Sequence, residues 1–336
     1  MVAVRIDRAG RRPVPRAGLA SVAGRALGAV PPSVQVIVGI ISVQVGAAFA
    51  KQLFGFAGAA GTVALRLFFA AVVLMLLWRP SPRLGTRVLP VVLAYGIVLA
   101  VMNICFYQAI ARIPLGIAVT VEFLGPLSIA LLGSRRWVDG LWALLAAAGV
   151  LLLAEPTGQV SLVGIAFALA AAACWAGYIL LSAALGSRTS DGAGLAMAMG
   201  IAALIAVPVG VADAGLSMLQ PAVLLIGLCV ALLSSVIPYS LELEALRRIP
   251  PRVFGILMSL EPAVAALAGL AVLGEALRPA QWLAVCCVVA ASAGATRSRA
   301  SSPSRPARAS APPSPRARRR LTRRRPTAPP GRTPRR

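Results

Sequence analysis

Apolar runs of about twenty residues recur from about residue 33 to about residue 296, separated by short polar breaks. No other feature limits the fold as strongly. Hydrocarbon cannot satisfy loose backbone amides, so a run of this length spans a bilayer as a helix. The chain is 59% hydrophobic and 13% charged, with a mean hydropathy of +0.85, which lies outside the range of a soluble domain. The expected fold class is an all-α polytopic membrane protein.

The runs place ten transmembrane helices at about 34–54, 62–78, 88–109, 114–133, 138–154, 161–183, 195–213, 222–246, 252–274 and 279–296. Basic residues fall unevenly between them. Residues 1–32 carry six, and alternate breaks carry Arg79, Arg83 and Arg87, then Arg135 and Arg136, then Arg188, then Arg247, Arg248 and Arg252. The intervening breaks carry only Lys51, Arg112 or Arg278, or none. Basic loops stay cytoplasmic, so an even number of spans with both termini inside fits this pattern.

The chain also echoes itself. NICFYQAIARIP (Asn103–Pro114) aligns without gaps on YSLELEALRRIP (Tyr239–Pro250). Each string ends a span, and each is followed by a span with a mid-helix Glu near a Pro, VEFLGP in one half and LEP in the other. The repeat unit is five helices. Five is odd, so the second copy enters the membrane upside down. Two inverted five-helix repeats, 33–155 and 156–296, are the architecture of secondary transporters, with a site near the midplane between the halves.

Depth singles out two carboxylates. Glu122 follows Pro114 by eight residues, about 12 Å of helical rise, and Glu261 follows Pro250 by eleven, about 16 Å. The hydrocarbon core is about 30 Å thick, so both lie near its middle, where a charge is costly and is kept for a partner or a function. Pro126 adds to this, because a helix proline removes the hydrogen bond to the carbonyl four residues back, here that of Glu122 itself.

The strings SVQVGAAFAKQLF, TVALRL, IPLGIAVTVEFLGPL, SRRWVD, ACWAGYIL and IPYSLELEALRRIPPRVFGILMSLEPAVAALAGLAVLGE carry a resemblance to a known family. Across roughly residues 33–296 the chain resembles the drug/metabolite transporter superfamily of the EamA type, and within it the bacterial exporters of threonine and homoserine. The resemblance implies efflux of small neutral amino acids across the bacterial cytoplasmic (inner) membrane, in exchange for protons. It implies no enzyme activity and no cofactor.

An exported amino acid is a zwitterion. Its site must offer an anion or acceptors to the ammonium, and a cation or donors to the carboxylate. Proton coupling needs a group that changes charge, and with no histidine in the chain the carboxylates Glu122 and Glu261 are the candidates. Arg66 and Lys51, near the outer ends of the first two spans, are candidates for the substrate carboxylate or for pairing with Glu122. Snorkelling to the headgroups is their alternative role. Gln44, Asn103, Tyr107 and Tyr239 are further polar candidates inside spans, and Asn103 and Tyr107 share a helix face at i, i+4. Glu242 and Glu244 with Arg247 and Arg248 read as a charge cluster at the inner surface, while Glu155, Asp213 and Glu275 read as solvated outer ends.

Other functions have less support. The same fold can carry drugs, purines or other amino acids. A membrane-embedded enzyme lacks a histidine, a metal-ligand spacing or a GxSxG nucleophile, and a channel lacks a polar filter sequence. Cys105, Cys174, Cys229, Cys286 and Cys287 all lie in apolar runs without CxxC spacing, and read as small apolar fillers. The leader, 1–32, is expected to be disordered and cytoplasmic, because Arg25 interrupts its only stretch resembling a signal peptide. The tail, 297–336, holds 14 of the 33 basic residues and no acid. It is expected to be disordered and to lie on anionic lipid. Nucleic acid is disfavoured as its partner, since no aromatics are interleaved for stacking.

Overall fold

The computed structural model describes residues 30–80, 88–131, 137–153, 161–186, 193–246, 248–249 and 251–300. The leader to residue 29, the tail beyond Ala300, Glu155, and the basic breaks at Arg83, Arg87, Arg135, Arg136, Arg188 and Arg247 lie outside them. Every regular element among the described residues is helical. Six helical segments are long and apolar enough to cross a membrane, and shorter apolar helices lie at Leu115–Ile129, Gly140–Gly149 and Pro279–Ala295. This is the make-up of a polytopic membrane protein.

Helix α1, Pro32–Trp78, covers both of the first two expected spans. No loop separates them. The chain turns instead at Gly58, with φ +62° and ψ 176°, a conformation open to glycine and strained for a residue with a Cβ. A Cβ there would also stand 2.7 Å from Asp213 Oδ2. Thr62 Oγ1 donates to the Gly58 carbonyl at 2.7 Å, satisfying an acceptor that the turn exposes. After α2 (Leu89–Ile110), the next apolar run is split into α3 (Leu115–Glu122) and α4 (Leu124–Leu131). The interruption at Phe123 adjoins the carbonyl that Pro126 leaves without its helical donor. Helices α5 (Trp137–Leu153), α6 (Leu162–Gly186) and α7 (Ala193–Ala214) follow.

The eighth run is broken as well. Helix α8 (Pro221–Ala231) passes through a wide π-helical turn, Leu232–Val236, into α9 (Ile237–Leu246). Pro238 lacks the N–H that would reach Ser234 four residues back, and wide turns of this kind often form at such interruptions. The run after it divides into α10 (Pro251–Met258) and α11 (Glu261–Leu273), with Ser259 and Leu260 between and Pro262 just inside α11. Helix α12, Pro279–Ala300, extends past the expected end at residue 296.

Helix α1 packs along α7, α8, α9 and α11, and α2 packs along α6 and α7. The interior is lined largely by alanine, including Ala48, Ala50, Ala64, Ala70, Ala100, Ala118, Ala168, Ala202 and Ala265. Large side chains such as Leu76, Leu144, Leu204 and Leu225 point outward. That inversion suits lipid as solvent, where helices gain by close approach rather than by hiding leucine from water. One such close crossing joins α3 to α11. A Cβ on Gly116 would stand 2.7 Å from Ala266 Cα. The two helices that carry Glu122 and Glu261 therefore meet backbone to backbone.

Candidate functional site

Three interruptions in the helices converge on buried polar groups. At the π turn, Ser42 Oγ of α1 donates to the Leu233 carbonyl at 2.7 Å. Arg66, also on α1, donates through Nη2 to the Ser234 carbonyl at 3.0 Å, through Nε to Ser235 Oγ at 3.3 Å and through Nη1 to Tyr107 Oη at 3.4 Å. The carbonyl of Ser234 is the one that Pro238 leaves without a helical donor. Gly46 lets α1 approach this turn, since a Cβ would lie 2.9 Å from Leu233 Cβ and 3.0 Å from Ser234 N.

Arg66 is thus an interior cation, 7% exposed, and not a side chain snorkelling to headgroups. Its guanidinium carbon lies 5.5 Å from the Tyr107 ring centroid, a favourable cation–π distance. Three of its five N–H donors are engaged, which leaves two for another anion. Glu122 and Tyr239 lie within its electrostatic range. Glu122 is buried at the C-terminal end of α3. Glu261, at the start of α11, is reached by Gln44, which donates from Nε2 to Glu261 Oε1 at 3.0 Å. Glu242 and Glu122 both act electrostatically on Glu261, and Tyr239 lies within range of both Arg66 and Glu261.

The candidate residues therefore separate. Glu122, Glu261, Arg66, Gln44, Tyr107 and Tyr239 belong to one interior group joined by contact or field. Asn103 is buried on the same face as Tyr107, but its Nδ2 donates to the Leu99 carbonyl of its own helix at 2.8 Å. Lys51 is engaged elsewhere. Its Nζ donates to Glu275 and, at 3.0 Å, to the Ile113 carbonyl, so Glu275 is an ion-pair partner and not a solvated end.

Three participants escaped the sequence reading. Ser234 and Ser235 are fully buried against Arg66. Their signal was a serine pair followed by Pro238, the same proline-minus-four relation that drew attention to Glu122. Glu242 is the third. It faces Gly39 of α1 and interacts with Tyr178, Tyr239 and Glu261, so it looks into the bundle and does not join an inner-surface charge cluster. The side chains of Glu244 and Arg247 lie outside the described residues, and Arg248 donates to the Val30 carbonyl at 3.1 Å.

A cavity of about 460 Å³ lies apart from this group, bordered by Ala64 and Phe68 of α1, Val207 and Val211 of α7, and Leu216 and Leu224. All of its lining side chains are apolar, which suits neither end of a zwitterion. Among the described residues no group of three or more His, Cys, Asp or Glu could hold a metal ion.

Several known proteins resemble this chain. Residues 162–297 match the EamA-like transporter family. The chain is 45% identical over 269 residues to the threonine/homoserine exporter RhtA of Escherichia coli (strain K12), covering 79% of this chain and 91% of that protein. It is 44% identical, with the same coverage, to the threonine/homoserine exporter RhtA of Salmonella typhimurium (strain SL1344). A solved crystal structure with 20% sequence identity superposes with a TM-score of 0.57 over 80% of this chain and 99% of that one, which shows a shared fold.

Proposed function

Because this chain belongs to the EamA-like transporter family, we propose that it exports small neutral amino acids of the threonine/homoserine type from the bacterial cytoplasm. The family is one of transporters, and the enzyme alternative falls with that assignment. The carrying observation is the interior group around Arg66 and Glu261. A guanidinium with two spare donors and a carboxylate with a spare acceptor are buried in one bundle, and these are the complements of the two ends of an amino-acid zwitterion.

The mechanism we assign is alternating access by two inverted five-helix halves. Two features support this topology. The turn at Gly58 divides α1 into two span-length pieces, and the helices bearing Glu122 and Glu261 are interrupted beside those residues in both halves. Protonation of Glu122 or Glu261 from outside would couple proton entry to substrate release. The distribution of arginine among the breaks favours cytoplasmic termini in the inner membrane, with the basic tail on anionic lipid.

The test is growth at inhibitory threonine or homoserine. Cells overproducing the chain should resist and accumulate the amino acid outside. Unchanged sensitivity to both, with the protein in the membrane, would refute this cargo.

A further inference from the structure

Two acceptor atoms inside the bundle have no donor among the described residues. Gln44 gives its amide N–H to Glu261 Oε1 at 3.0 Å, and this leaves Gln44 Oε1 and Glu261 Oε2 buried without a hydrogen-bond partner. The side chains are 3% and 7% exposed. Leaving such atoms unmet is costly, and more so for a carboxylate. Because the two side chains are bonded to each other, their open oxygens belong to one place on α1 and α11.

The surroundings favour a cationic donor. The titratable groups that act on Glu261 are Glu242 and Tyr239 of α9 and Glu122 of α3, none of them a cation. Neither cation of α1 bonds to these oxygens: Arg66 donates to Tyr107, Ser234 and Ser235, and Lys51 to Glu275 and Ile113. A hard metal ion would demand about six oxygens, and the described residues offer no cluster for one. An ammonium group instead carries three donors on one charged centre, enough to meet both open oxygens.

We propose that Gln44 Oε1 and Glu261 Oε2 form the subsite for the ammonium group of the exported amino acid. This rests on the export reading and assigns one end of the substrate within it. Gln44 holds the carboxylate by its other oxygen, which leaves Oε2 open and the Gln44 amide oxygen as the second open acceptor. Recognition at this point is of a primary ammonium, independent of the substrate side chain.

The test uses the purified full chain in lipid nanodiscs and three probes. L-Threonine has both charged ends, threoninol keeps the ammonium and lacks the carboxylate, and 2,3-dihydroxybutanoate keeps the carboxylate and lacks the ammonium. Glu261→Gln and Gln44→Leu should each weaken threonine and threoninol at least tenfold, and leave dihydroxybutanoate within about twofold of its original affinity. Equal weakening of all three probes by folded variants, or no weakening by either, overturns the subsite while threonine binding by the unaltered chain upholds the export reading. An unaltered chain that binds none of the three overturns both. Should Glu261→Gln fail to fold, Gln44→Leu decides alone, since it removes the second acceptor and keeps the carboxylate.

Discussion

Lys51 and Glu275, 224 positions apart, are joined by an ion pair of 2.5 Å. The same carboxylate accepts the Leu115 N–H at 2.8 Å, and the same ammonium donates to the Ile113 carbonyl at 3.0 Å. Four groups from α1, the start of α3 and the end of α11 are thereby tied into one knot, with Gln52 Nε2 donating to the Val272 carbonyl beside it at 3.2 Å. An anion at the start of α3 also meets the positive end of its dipole.

Breaking that knot on one side should cost more than removing it. Glu275→Leu strands Lys51 and the Leu115 N–H, and is expected to lower stability by about 1–3 kcal/mol. Lys51→Met combined with Glu275→Leu should recover part of the loss. Thermal unfolding in detergent measures both, and a double variant less stable than either single one would contradict the pairing.

If the two deep carboxylates carry the proton coupling, Glu122→Gln with Glu261→Gln should abolish proton-driven threonine efflux from proteoliposomes. The substitutions keep size and hydrogen bonding while removing the charge. Efflux at the original rate in the double variant would end the proton-antiport assignment.

Arg66→Lys keeps the charge and discards the fork. Three donors now reach three acceptors on two helices, a geometry that a lysine ammonium cannot reproduce. Efflux is expected to fall at least tenfold, equivalent to about 1.4 kcal/mol, with the protein still in the membrane. Efflux within twofold of the original would remove Arg66 from the site.

Pro238→Ala restores an N–H that competes with Arg66 for the Ser234 carbonyl. The helix should become more regular across Leu232–Val236, raising thermal stability, while efflux falls because Arg66 loses its anchor. Loss of both stability and transport would show that the wide turn is structural.

Glycines at two positions should respond oppositely. At Gly116 a Cβ would press on the Ala266 backbone, whereas at Gly55 it meets nothing within 4 Å. Gly116→Ala is expected to destabilise by about 1–3 kcal/mol through overpacking. Gly55→Ala should be neutral or stabilise by up to about 1 kcal/mol through helix propensity. Thermal unfolding separates them, and equal effects would refute the close crossing of α3 on α11.

Sequence by itself determined the solvent and the helical class of the secondary structure. Runs of twenty apolar residues admit only helices in lipid, and a proline says which carbonyl four residues back is released, so Glu122 could be singled out without coordinates. The same rule applied to Pro238 would have found Ser234. What no periodicity contains is azimuth. With apolar residues on every side of a helix, no polar face records which way Gln44, Lys51 or Glu242 points. Only tertiary packing decided that Lys51 turns to Glu275 and not to Glu122, that Glu242 looks inward, and that Gln44 finds Glu261 at a separation of 217 positions. In lipid the rotation of a helix is set by where small residues such as Gly46 and Gly116 let two backbones touch, and that fit exists only once both helices are present.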